Sequence, residues 1–243
     1  MFSFAALLYG STANGAYGQL NTVSAHVEIK KKADPKQMKG ARPAANLSEV
    51  VLWLKPLEIT AGEAAPAEQS HKRLQLIQKN KSFQPHVLVV PVGSAVDFPN
   101  RDPFFHNVFS LFDGKRFDLG LYEAGATNSV RFDRLGISFL FCNIHPEMSA
   151  VVIAVDTPYY GVSDRAGDVT LPGVPDGKYE LHLWYERSLP EDLKALARAV
   201  TVSAAAKDLG TIGVLENPNF SPSHKNKYGQ DYTSPSVQPY SNP

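Results

Sequence analysis

Cys142, His145 and Met148 stand at intervals of three in the run Phe139-Leu-Phe-Cys-Asn-Ile-His-Pro-Glu-Met148, at the end of an apolar stretch. A thiolate, an imidazole and a thioether within one short turn form a donor set that suits copper in both of its common oxidation states. A complete site needs one more imidazole. His106 offers it, in Phe98-Pro-Asn-Arg-Asp-Pro-Phe-Phe-His-Asn-Val108, 36 residues before the cysteine. That interval has room for a hairpin and a return strand, which bring both segments to one end of a β-sandwich. The spacing predicts His106, Cys142 and His145 as roughly trigonal ligands of one copper, with Met148 as the weak axial donor. Asn107 is expected to bond across to the loop that carries Cys142, fixing the thiolate from behind.

The elements that must position these residues read as strands. Val23–Ile29 alternates apolar and polar residues, and Val50–Leu54 is strongly apolar. Arg73–Gln78, Val87–Val90, Ala95–Phe98, Val108–Phe112, Val130–Phe132, Ile137–Phe141 and Ala150–Val155 follow, separated by turn residues such as Asp113-Gly114. About seven short strands without a helical period predict an all-β sandwich. Phe83 is expected in the core, as are Phe104, Phe105 and Phe109, with Phe104 or Phe105 as alternative lining for an apolar docking patch. Beyond Asp156, Asp164–Leu171, Tyr179–Tyr185, Ala199–Val202 and Gly210–Leu215 read as further strands. Ser188, Pro190 and the acidic pair Glu191 and Asp192 predict a helix start with Ser188 as N-cap, continued through Leu193 and Leu196. Residues 217–243 are poor in apolar side chains and rich in Pro, Ser, Asn and Lys, which predicts a disordered tail.

Composition narrows the function. Lys+Arg and Asp+Glu are equal at 24 each, and zero formal net charge argues against a nucleic-acid binder. A single cysteine forms no disulfide within the chain, so cysteine usage leaves the redox compartment open. Residues 1–20 carry a short apolar core, Phe2–Tyr9, followed by small residues. They read as an export signal without a basic start, which predicts a periplasmic or otherwise exported protein. His26, His71, His86, His182 and His224 lack ligand-like company and are read as surface or satisfied histidines.

The F-x-N-x-D-x3-H-N-V and C-x2-H-x2-M runs resemble the two ligand segments of cupredoxins, the plastocyanin, azurin and amicyanin group of blue copper proteins. The short second loop is most similar to amicyanin's. The resemblance covers about residues 70 to 156. It implies a Greek-key β-sandwich with one mononuclear type 1 copper and a role in periplasmic electron transfer with a c-type cytochrome or a periplasmic dehydrogenase. Phe117-Asp-Leu-Gly and Asp156-Thr-Pro-Tyr-Tyr, with their flanks, look like bacterial methylamine-utilisation or plastocyanin-like proteins. Asp164–Leu181 resembles a strand pair of carboxypeptidase-regulatory-like sandwiches. A discontinuous second, smaller sandwich is therefore expected from residues 21–60 and 157–216, with the copper unit at 66–156 between its halves; consecutive domains are the alternative. A copper carrier, a store or a structural copper module would use the same ligands. Catalysis is not expected: four protein donors leave no open metal position, and no H-E-x-x-H run is present.

Overall fold

The computed structural model describes residues 20–31, 46–58, 73–111, 113–221 and 224–232. The expected export signal, except Leu20, lies outside them, as does His71. The first strands are β1 (Leu20–Lys31) and β2 (Val51–Pro56). The middle of the chain supplies β3 (Leu74–Gln75), β4 (Ile77–Lys79), β5 (Ser82–Gln84), β6 (Val87–Pro91), β7 (Ser94–Pro99), β8 (His106–Ser110), β9 (Phe117–Tyr122), β10 (Thr127–Phe132), β11 (Gly136–Phe141) and β12 (Ser149–Val155). The last part gives β13 (Tyr160–Val162), β14 (Asp168–Pro175), β15 (Gly177–Trp184), helix α1 (Pro190–Leu196), β16 (Arg198–Val202) and β17 (Asp208–Glu216). The chain is all-β, and α1 is the sole helix among the described residues.

In β1, Val23, Ala25 and Val27 are buried while their neighbours face outward, the period of two that one buried sheet face imposes. This strand lies between β14, antiparallel, and β17, parallel. A second sheet runs β13-β2-β15-β16. Among the described residues, strands from before residue 60 thus pair only with strands from after residue 157. Gly161 of β13 permits close approach to β14, since a Cβ there would lie 2.4 Å from the Thr170 carbonyl oxygen.

The middle of the chain forms the sheets β10-β7-β3 and β6-β12-β11-β8-β9, with the β4-β5 hairpin alongside. Val90, Ala150, Val152 and Ala154 face a core shared with Phe98, Val108, Phe132 and Leu140. Their neighbours Val87, Val89, Val151, Ile153 and Val155 face the opposite way, into one core with Val51, Leu54, Leu171, Leu181 and Ile212. This double burial accounts for the unbroken apolar runs of β6 and β12, where a half-exposed strand would alternate. The two pairs of sheets are joined by packing as well as by chain.

His86 pins that junction. Its Nε2 lies 2.8 Å from the Glu186 carboxylate and its Nδ1 3.1 Å from the Ser149 carbonyl oxygen. Both partners are acceptors, so the ring is held best with both nitrogens protonated. The bond to Glu186 raises the His86 pKa; burial opposes it, and the Glu186 and Glu49 charges add to the rise. The stabilisation is complete below the unfolded-state value and is lost as pH climbs through the raised folded-state value. Between pH 6 and 8 the thermal midpoint of the natural chain should fall relative to that of His86→Gln. Parallel curves would show that the pin contributes nothing.

Four details depart from the sequence reading. Phe117–Tyr122 is a full edge strand, paired with β8, where no strand was expected. The N-cap of α1 is Leu189 without a side-chain cap bond, because the Ser188 hydroxyl donates to the Leu215 carbonyl oxygen instead. Phe104 and Phe105 are 36% and 55% exposed, whereas Phe109 is buried. The tail reads as disordered, yet its described parts make specific contacts: 217–221 with Arg187 of the outer sandwich, and 224–232 with the middle sheets through polar and ring contacts.

Candidate metal centre

β8 and β11 are neighbours in one sheet, with Phe109 opposite Phe141. That register sets His106, the first residue of β8, beside Cys142, the residue after β11. Residues 142–148 then form the turn into β12. It is closed by Cys142 N–H donating to the Met148 carbonyl at 3.1 Å and by Met148 N–H donating to the His145 carbonyl at 3.1 Å. The turn brings His145 back over the cysteine.

His106, Cys142 and His145 offer ligand atoms all within 4.8 Å of one another. The Cys142 sulfur lies 3.8 Å from His106 Nδ1 and 3.4 Å from His145 Nδ1. Three donors spread evenly about an ion at ~2.0–2.3 Å would stand roughly 3.5–4 Å apart. One sulfur and two imidazole nitrogens with these separations fit a single soft or borderline transition metal. Met148 is fully buried in the same core cluster as Cys142, and it carries the remaining soft donor of the turn.

Asp102 orients the first histidine. Its Oδ2 lies 2.8 Å from His106 Nε2, and both side chains are buried. An ionised carboxylate only accepts, so Nε2 carries the proton and Nδ1 keeps its lone pair toward the sulfur. The same carboxylate accepts the N–H groups of Asn80 and Lys81, at 2.7 and 2.9 Å, and so fixes the β4-β5 turn as well. Burial acts to raise the Asp102 pKa, but the bonds from Lys81, His106 and Asn80 outweigh it and hold the carboxyl below its ordinary value. In the sequence Asp102 stands out only as the acidic residue of the run that carries His106.

Asn107 Oδ1 accepts the Asn143 N–H at 3.3 Å, and its Nδ2 donates to Asp118 Oδ1 at 2.7 Å and to the Gly120 carbonyl at 3.0 Å. The buried residue thus ties the ligand turn to β9. Phe104 closes the outer side, its ring 5.2 Å from that of His106 and 5.7 Å from that of His145. His106 is buried and His145 only partly so. Of the other histidines, His26, His86 and His182 pair with Asp168, Glu186 and Glu180. His224 is the exception: it stacks on Phe141, 4.2 Å between centroids, beside the ligand turn.

Burial pushes the Cys142 thiol up, opposed by the backbone N–H groups of Ile144, Asn107 and His145. Burial lowers the His145 pKa, and the His106 and Lys81 charges add to that effect, so its ring is neutral at pH 7 and available as a donor. A metal must displace the thiol proton. That proton should make Co(II) affinity rise about tenfold per pH unit between pH 7 and 8. A pH-independent affinity in a spectroscopic titration would remove Cys142 from the ligand set.

No family model matches the chain, and no curated protein matches it. Among solved structures, a purple cupredoxin from Nitrosopumilus maritimus is 26% identical over 34% of this chain and 99% of its own length, with a TM-score of 0.31. A copper-containing nitrite reductase from Thermus scotoductus SA-01 is 23% identical over 42% of this chain, with a TM-score of 0.34, and only 26% of that protein is covered. A reduced amicyanin variant is 23% identical over 38% of this chain and 90% of its own, with a TM-score of 0.33. These TM-scores are too low to assign chemistry, which rests on the side chains.

Proposed function

We propose that this chain binds one copper at His106, Cys142, His145 and Met148 as a type 1 centre and passes single electrons between exported redox proteins. The observation that carries this reading is the convergence of the Cys142 sulfur and two imidazole Nδ1 atoms at 3.4 and 3.8 Å. Copper bound there would supply a one-electron couple. The chain's own part is to hold the donors still. Asp102 keeps the His106 tautomer, Asn107 holds the turn, and buried Phe98, Val108 and Leu140 stand behind the cysteine. Donors fixed by the fold move little when the metal charge changes, which keeps the barrier to electron transfer low.

His145 is the ligand nearest solvent and is our choice for the electron's exit. Phe104, whose ring lies 5.7 Å from that of His145, and the adjoining Ile144, 36% and 43% exposed, give it apolar surface suited to a brief docking with a c-type cytochrome or a periplasmic dehydrogenase. We further propose that residues 66–156 are the redox unit, that 21–60 with 157–216 form its supporting sandwich, and that the protein is not an enzyme.

Visible and EPR spectra of the protein loaded with Cu(II) test the reading. The expected result is an intense thiolate-to-copper band with narrow hyperfine splitting. A pale tetragonal spectrum, or no binding, would overturn it.

A further inference from the structure

The C-terminal segment makes contacts that the ligand turn does not need for its own closure. After β17 the chain is held on the outer sandwich by Asn217 N–H donating to the Arg187 carbonyl at 2.7 Å, and by the Arg187 guanidinium over the Phe220 ring. It then reaches the ligand turn. The Tyr232 hydroxyl donates to the Cys142 carbonyl oxygen at 2.6 Å, and the His224 ring lies flat on Phe141. The Lys227 N–H donates to Asn143 Oδ1 at 3.0 Å, while its ammonium pairs with Asp118 Oδ2 at 2.8 Å.

These bonds close a ring: Lys227 to Asn143, Asn143 N–H to Asn107, Asn107 to Asp118, and Asp118 back to Lys227. The Cys142–Asn143 peptide unit is gripped on both sides, by Tyr232 on its carbonyl and by Asn107 on its N–H. A hydrogen bond on the carbonyl polarises the peptide and strengthens its N–H as a donor, so the two grips reinforce one another.

We propose that residues 224–232 form a strap that sets the backbone of the ligand turn at Cys142 and Asn143, with Tyr232 and Lys227 as its positioning residues. The strap gives the outer sandwich a task in the metal site, because it is anchored there through Asn217 and Phe220. Its metal-related consequence rests on the copper reading above; its effect on the turn does not.

Amide hydrogen exchange of the metal-free, full-length protein therefore decides it first, with Tyr232→Phe and Lys227→Met as separate variants. Tyr232→Phe removes the hydroxyl from the Cys142 carbonyl, Lys227→Met removes the ion pair that holds Asp118 and through it Asn107, and both leave the donors untouched. Exchange at Cys142, Asn143 and Met148 should speed up about fivefold in either variant, the weight of one ordinary hydrogen bond. Amides in the β11-β12 ladder should stay unchanged. Unchanged rates in the turn, or an equal rise throughout the sandwich, would overturn the strap. Release of Cu(I) to a chelator should quicken by a similar factor in both variants. If the natural chain binds no copper while the turn still loosens, the copper reading fails and the strap stands. If copper is bound and neither exchange nor release changes, the strap fails alone.

Discussion

Cys142→Ser should remove the copper chromophore and weaken copper binding on the order of a thousandfold or more, with the fold retained. The sulfur is the donor the two imidazoles converge on, at 3.8 and 3.4 Å, and a serine hydroxyl is neither soft nor ionised at neutral pH. The cost to the metal-free protein should be small. The side chain is fully buried, and placing a hydroxyl there costs about 1–3 kcal/mol if it goes unpaired. Here the N–H groups of Ile144, Asn107 and His145 already point at the sulfur and can satisfy the replacement oxygen. At 2–4 °C per kcal/mol for a chain of roughly this size, the thermal midpoint should fall by only a few degrees. Competition titration with a copper chelator, beside circular dichroism of the metal-free variant, checks both halves. Persistence of the visible band in Cys142→Ser would end the assignment.

Asp102→Asn should weaken copper binding by about 10–100-fold, although Asp102 is not among the proposed donors. The carboxylate accepts from His106 Nε2, Asn80 N–H and Lys81 N–H together. An asparagine cannot accept all three. With its amide nitrogen toward the histidine, it would donate to Nε2 and drive the ring proton onto Nδ1, the atom that faces Cys142. With the amide turned over, its nitrogen meets a backbone N–H of the β4-β5 turn, and that buried clash costs about 1–3 kcal/mol of stability. Either arrangement separates this variant from the wild type. Nitrogen-15 NMR of the imidazoles in the metal-free protein would read the tautomer, and a chelator titration the affinity. Wild-type affinity together with a wild-type tautomer would show that Asp102 merely caps the turn.

Much of this was legible along the chain. Val23, Ala25 and Val27 alternate with outward residues because one face of their sheet is buried, and alternation is visible in any sequence. The ligand candidates were legible for a related reason: Cys142, His145 and Met148 sit on one turn, so spacing stands for distance. Strand β9 escaped because Phe117–Tyr122 is a half-exposed edge without alternation, and Gly120 at φ +66° interrupts it. Phe104 and Phe105 read as core from hydrophobicity alone, although their place at the rim leaves them in solvent. The tail read as disordered because apolar content measures the chance of burying a core. It does not register a tyrosine and a lysine that each find one specific acceptor.

By itself, then, the sequence determined an all-β chain and the donor types brought together at one turn and one strand start, since both follow from local periodicity and spacing. Only the tertiary structure decided what holds those donors. Asn107 accepts the Asn143 N–H from 36 residues on, Lys227 meets Asn143 and Asp118 across long separations, and Tyr232 finds the Cys142 carbonyl. β6 and β12 carry unbroken apolar runs because packing buries both of their faces. Local chemistry is written in neighbouring residues, whereas a hydrogen bond between distant ones exists only once the sheets have set their register.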